Sequence, residues 1–192
     1  MDLPKIQQMQ TRLGVVPDGF WGPLSIAACQ AHLRRLMPAR HPWPKSDQAS
    51  LMEFYGAPGD ESQHMQLGVR GLGLLYDGRP VNVITCHRRV AMSLYTCLRN
   101  VRGLLDRKPG LPDVLAQYAG CYNNRAMRGG TAPSLHSRAA AIDLAPDDNG
   151  NRTSWPAAAH MPLEVMEIFA AEGWLSGGAF WGRDAMHFQA TQ

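Results

Sequence analysis

The 192-residue sequence contains no apolar run near the roughly 18 residues that a membrane-crossing helix needs, so no membrane span is expected. It has no C-x-x-C pair, which argues against a cysteine zinc ribbon. Its four cysteines, Cys29, Cys86, Cys97 and Cys121, are too few and too scattered for a disulfide scaffold, and free thiols in a reducing compartment are expected. On that reading the Asn151-Arg152-Thr153 glycosylation pattern is a chance match. H-E-x-x-H is absent, which excludes the common helix-borne zinc site. No internal repeat or low-complexity segment occurs. The start, Met1-Asp2-Leu3-Pro4-Lys5, lacks the basic start and apolar core of a secretory signal. Charge is sparse: 18% of residues are charged, with a net charge of +3, against 45% hydrophobic residues. That is an ordinary globular composition, and the mild positive balance suits an anionic partner such as nucleic acid or an acidic envelope polymer. The basic residues follow no recognised nucleic-acid motif, so nucleic acid is not an expected partner.

Ile6, Met9 and Leu13 recur at helical spacing, and Gly14 supplies a stop. Asp18-Gly19 marks a turn, and Pro23 opens a second helix through Ile26, Cys29, Leu33 and Leu36. Pro38, Pro42 and Pro44 then indicate a linker. The expected organisation is a small all-α module at 1–38, a linker at 39–50 and a larger body at 51–192. About 36 residues rarely fold unaided, so the module should lean on the body. In the body, Pro80 to Cys86 reads as a strand, and Val90 to Leu105 as a long amphipathic helix. Leu111 to Tyr118 reads as a short helix, Ala139 to Ala145 as a strand and Pro162 to Glu172 as a helix. Trp174 to Gln189 reads as extended. The fold class is α+β, a small antiparallel sheet with helices.

Two patches carry candidate chemistry: Ser134-Leu135-His136-Ser137-Arg138-Ala139-Ala140-Ala141-Ile142-Asp143, and Asp184-Ala185-Met186-His187. His136 and Asp143 are seven apart, so on one strand they would face opposite sides. They converge only if His136 lies in a loop before the strand, which Gly129-Gly130-Thr131-Ala132-Pro133 could begin. Ala139, Ala141 and Asp143 would then form one open face, with Ile142 and Leu144 in the core. Two histidines and a carboxylate are a standard catalytic zinc shell with one position left for water, and Asp184 could take that water's proton. Each residue also has a plainer reading: loop histidine, strand-end aspartate, turn aspartate, core histidine. Spacing alone leaves the choice open.

The first patch resembles the S-x-H-x-x-G-x-A-x-D signature of the zinc D-Ala-D-Ala carboxypeptidase and L-Ala-D-Glu endopeptidase family, the VanY-like peptidases. The second resembles that family's closing acid-x-x-His segment, here continuing into Phe188-Gln189. Gly120-Cys121-Tyr122-Asn123-Asn124-Arg125, with Arg128-Gly129-Gly130, resembles its arginine-bearing loop. The likeness runs over roughly residues 80 to 189. It departs at Ala139, where the family has glycine; a positive φ there would strain alanine. The resemblance implies that His136, Asp143 and His187 hold Zn2+, and that Asp184 is the general base and later the acid. It implies that Arg125, or Arg128, stabilises the oxyanion or holds a substrate carboxylate, and that Ser134 supports the ligand loop. Trp181 would be either a cleft wall or a core residue.

Residues 6–14 and Asp18-Gly19-Phe20-Trp21-Gly22-Pro23 resemble the three-helix peptidoglycan-binding domain in a shortened form. Phe20 and Trp21 would either stack on sugar faces or pack the two helices together. Together the likenesses imply a monomeric zinc peptidase that cuts the peptide stem of bacterial peptidoglycan. Endolysins that wait in the host cytoplasm and reach the wall after membrane opening have this make-up. The implied bond is L-Ala-D-Glu; the alternatives are a D-Ala-D-Ala carboxypeptidase and a non-catalytic wall-binding protein with a structural zinc.

Overall fold

The Ile6, Met9 and Leu13 stripe lies along α1 (Leu3–Leu13) in the computed structural model, which describes residues 3–192. Met1 and Asp2, part of the expected module and of the signal-free start, lie outside the described residues. α2 (Pro23–Leu36) begins at Pro23, whose fixed φ suits a first helical turn. Buried Gln10 ties the connecting turn together. Its amide nitrogen donates to Asp18 Oδ1 at 2.7 Å and to the Phe20 carbonyl at 3.0 Å, while its oxygen accepts from Gly19 N at 2.8 Å. The proline-rich stretch after α2 is irregular and ends at α3 (Gln48–Tyr55), capped by Asp47, which accepts from Ser50 N.

The body continues with β1 (His64–Gly68), β2 (Leu75–Tyr76), β3 (Arg79–Pro80), β4 (Val83–His87), α4 (Ala91–Arg107), β5 (Tyr118–Gly120) and β6 (Ala141–Leu144). It ends with α5 (Pro146–Asn149), α6 (Leu163–Ala171), β7 (Leu175–Ser176), α7 (Gly177–Trp181) and β8 (His187–Gln189). Strands β1 and β4 pair antiparallel, as do β2 and β3, and the third sheet runs β5-β6-β8-β7, antiparallel throughout. The fold is α+β, as the patterning predicts.

Three segments differ from expectation. The strand expected over Pro80 to Cys86 is broken, because β3 ends at Pro80 and β4 begins only at Val83. The helix expected over Leu111 to Tyr118 shrinks to a 3-10 turn, Val114–Gln117, started by Asp113 accepting from Leu115 N. Tyr118 instead joins the sheet opposite Leu144. The extended ending expected over Trp174 to Gln189 is interrupted by α7, for reasons of packing described below.

The N-terminal helices are not separate from the body. Ile6, Cys29 and Leu33 share one hydrophobic core with Phe169 and Trp174. Trp21 meets Trp155 edge-on at 5.3 Å. Arg12 pairs with Glu164 at 3.0 Å and with Glu167, and Lys108 reaches Glu164 at 3.2 Å. His32 Nε2 lies 2.7 Å from Glu167 Oε1. Partly exposed ion pairs contribute little each, so the apolar seam supplies most of the adhesion. All four cysteines are buried and free. Among the described residues, no helix is long and apolar enough to cross a membrane.

Leu33 is fully buried in this seam. Leu33→Ala is expected to destabilise the whole protein by about 2–5 kcal/mol, and circular dichroism in the near and far ultraviolet should follow one common transition. A separate early transition of the helices would contradict a shared core.

Candidate metal centre and cleft

His136 lies outside the strand that carries Asp143, so the two side chains can converge. It belongs to a 3-10 turn, Leu135–Arg138, opened by Ser134, whose Oγ accepts from His136 N at 3.3 Å. The turn stops at Ala139, which adopts φ 52° and ψ 32°. The left-handed conformation predicted from the family's glycine is thus present with alanine in place, at a cost of about 1–2 kcal/mol. β6 follows, and Asp143 stands directly opposite His187 on β8. The expectation of an open alanine face is not met. Ala139 precedes the strand, and Ala139 and Ala141 are both fully buried. Their small side chains let other segments close over them; His87 N, at the end of β4, donates to the Ala139 carbonyl at 2.8 Å.

Three ligand-type atoms meet at one point. His136 Nε2 lies 3.2 Å from Asp143 Oδ1 and 3.1 Å from His187 Nδ1, and His187 Nδ1 lies 2.9 Å from Asp143 Oδ1. Tetrahedral zinc with ligand bonds near 2.0–2.1 Å requires separations of about 3.3 Å, close to this triangle. The outer nitrogens fix the tautomers. His136 Nδ1 lies 2.8 Å from the Cys121 carbonyl, which can only accept, so that nitrogen carries the hydrogen. Gln189 Nε2 donates to Thr191 Oγ1 at 2.6 Å, so Gln189 Oε1 faces His187 Nε2 at 3.1 Å and accepts its hydrogen. With neutral rings, two nitrogen lone pairs and a carboxylate oxygen then point at one another without a donor. Such a set is repulsive unless a cation or proton sits among them. The residues therefore fit a metal ion, and two borderline imidazole nitrogens with one harder carboxylate oxygen suit zinc.

The electrostatics agree. Burial opposes ionisation of Asp143, but in the absence of a metal a proton shared with the His136 and His187 rings outweighs it and holds the carboxyl well below the usual carboxylate range. Burial also opposes a charged His187, but Asp143 and Asp184 raise its pKa above the ordinary histidine value. Asp184 sits just before β8 with φ 57°. Burial raises its carboxyl pKa, His187 opposes this, and Asp143 adds to it. Among the described residues its buried Oδ1 has no hydrogen-bond partner, an unusual state for a carboxylate oxygen in a folded protein.

The triad opens into a cleft of about 470 Å³ whose lining includes Ser134, Arg125, Arg128, Trp181 and Asp184. Trp181 is 44% exposed, with its ring centre 5.6 Å from that of His187, so it stands at the cleft wall rather than in the core. Among the described residues, the Arg125 guanidinium donates only to the Ala126 carbonyl, at 3.2 Å. Phe20 and Trp21 are not in this lining; Phe20 is 69% exposed, while Trp21 packs on Trp155. Helix α7 brings Trp181 and Asp184 together because Gly177 and Gly178 admit close neighbours. A Cβ on Gly177 would lie 2.3 Å from the Asp184 carbonyl, and one on Gly178 would lie 2.6 Å from Met166 Cε. Sequence reading missed Gln189 and the Cys121 carbonyl as partners of the two histidines. Gln189 had a signal, since i and i+2 share a strand face; a backbone carbonyl has none.

Residues 128–190, about a third of the chain, match the family model described as D-alanyl-D-alanine carboxypeptidase. That span holds the triad, Asp184, Arg128 and Trp181, and excludes Arg125 and the N-terminal helices. No curated protein matches the chain, and no solved structure does.

One equivalent of zinc is expected to raise the melting temperature of the metal-free protein, and His136→Ala should abolish both the shift and metal retention. Because the imidazoles must be neutral to bind, and His187 holds its proton to higher pH than usual, apparent zinc affinity should fall as pH drops from 8 to 6. Competition with a chelating dye at several pH values measures this.

Proposed function

We infer that the chain is a zinc-dependent peptidase that hydrolyses an amide in the peptide stem of bacterial peptidoglycan. Its finer role on this reading is an L-Ala-D-Glu endopeptidase acting as an endolysin. The observation that carries this is the buried His136, Asp143 and His187 cluster opening into a cleft beside an unpartnered carboxylate oxygen on Asp184. The family match over the same residues supports it.

His136 Nε2, Asp143 Oδ1 and His187 Nδ1 would hold the metal, which when bound would polarise the scissile carbonyl and ease deprotonation of water at neutral pH. Asp184 accepts a proton from the attacking water and returns it to the leaving amine. Its raised pKa brings proton capture and release closer to working pH. Arg125 or Arg128 offers guanidinium donors to the developing oxyanion or to a substrate carboxylate. Trp181 flanks the bound peptide with its exposed ring face, and Ser134 holds the turn that aims His136. The helices at 1–38 would anchor the enzyme to the wall through exposed Phe20, with Trp21 bracing the turn that presents it. Such anchoring raises the local concentration of an insoluble substrate.

A D-Ala-D-Ala carboxypeptidase is the second reading, favoured by the description of the matched family. Mass analysis of digested muropeptides separates the two. A new N-terminal D-Glu supports the endopeptidase, and free alanine supports trimming. Neither product in the zinc-loaded protein, or equal cleavage after chelation, would end the peptidase reading. Asp184→Asn should keep zinc and lower kcat about 10²- to 10⁴-fold.

A further inference from the structure

Part of the cleft wall comes from residues outside the span that matches the family. Ser46, Gln48, Leu51 and Thr191 all line the cleft, all are uncharged, and none lies within 128–190. The segment around α3 is tied to both stretches that carry the metal ligands. Tyr55 Oη donates to the Ala190 carbonyl at 2.7 Å, just after β8, and Gly59 N donates to the Ser137 carbonyl at 2.7 Å, next to His136. Arg138, in the same turn as His136, adds a third tie that spans α3. Its Nε donates to the carbonyl of Gly56, which caps the end of the helix, at 2.9 Å. Its Nη2 donates to Oε1 of Gln48, the first residue of the helix, at 3.2 Å.

Arg138 is an unusual cation. It is only 3% exposed, and among the described residues it has no carboxylate partner, while its Nη1 is buried without a hydrogen bond. A buried guanidinium is ordinarily paired with an acid. A glutamate at position 48 would match the glutamine in length and supply that acid, yet the chain places a carboxamide there. A guanidinium only donates, so the carboxamide oxygen faces Arg138 and the NH2 group points away. Among the described residues that NH2 group has no hydrogen-bond partner. Neighbouring Asp47 does not engage it, because its two oxygens accept from Ser50 N at 2.9 Å and Ser50 Oγ at 2.8 Å. Two oriented donors therefore stand at the cleft wall where a carboxylate would have completed an ion pair. An uncharged donor on an uncharged wall matches an uncharged acceptor, such as the main-chain carbonyl of a bound peptide.

We propose that Gln48 binds the substrate: pinned through its oxygen by Arg138, it donates its amide hydrogens to a main-chain carbonyl of the peptide in the cleft. The proposal rests on the peptidase reading and adds to it a contact from α3, which lies outside the signature motifs. It also accounts for glutamine at this position. A glutamate would satisfy Arg138 but could only accept, so the peptide carbonyl would lose its donor.

The test sets stability against binding. Gln48→Glu gives Arg138 a carboxylate and removes the donors, whereas Gln48→Met keeps the length and removes donor and acceptor alike. Binding of a synthetic stem peptide to zinc-loaded Asp184→Asn protein is measured by calorimetry for each side chain at 48, and hydrolysis by the unaltered enzyme is followed in parallel. Gln48→Glu should raise the melting temperature, yet both variants should bind the peptide about 10-fold more weakly at unchanged zinc content. The loss in Gln48→Glu should persist when the peptide's carboxyls are amidated, which separates a missing donor from charge repulsion. A purely structural Gln48 predicts opposite signs, with binding lost in Gln48→Met and kept in Gln48→Glu. That pattern overturns the proposal, as does unchanged affinity in both variants, a loss in Gln48→Glu that vanishes with the amidated peptide, or no binding by the glutamine form. Failure of Gln48→Glu to raise the melting temperature removes the pinning by Arg138 and overturns it too. Weaker binding in both variants without hydrolysis by the unaltered enzyme leaves the Gln48 contact standing and removes the peptidase reading. Hydrolysis with affinity unchanged in both does the reverse.

Discussion

The convergence of three acceptor atoms on one point is the constraint around which the body is organised. Asp143 and His187 meet because β6 and β8 pair in one register, and a slip of one residue would turn one of them into the core. His136 joins them only because the chain turns sharply at Ala139. The outer hydrogen bonds, to the Cys121 carbonyl and to Gln189, then leave the inner nitrogens as lone pairs. The sheet therefore holds together a group of atoms that repel one another without a cation, and the stability of the surrounding core keeps them in place.

That core extends further than the sheet. Helices α1 and α2 bury Ile6, Cys29 and Leu33 against the body, and Gln30 Nε2 reaches the Ala179 carbonyl on α7 at 3.1 Å. α7 in turn carries Trp181 at the cleft wall. The N-terminal helices thus brace the element that shapes one side of the cleft.

Much of this was legible in the residues, and the failures have physical causes. The helical stripes of α1, α2, α4 and α6 are long and strongly periodic, and each appears near its expected place. The four-residue turn at Val114 to Gln117 and the five-residue α7 are too short for periodicity to register. The histidines and aspartates stood out because their types and order match a zinc chemistry. The alanine face was misread because alternation assumes one solvated side, whereas β6 is buried on both.

Gly177 shows how far the demands of the cleft reach. The Asp184 carbonyl occupies the space a side chain at 177 would need, and that same carbonyl accepts the His187 amide at 3.0 Å. A residue with no chemistry of its own therefore sets the seating of both the proposed base and one ligand. Mutational tolerance should accordingly be lower at this glycine than at many charged positions on the cleft rim. Enlarging it would shift two reacting groups at once while leaving every one of them unaltered in identity.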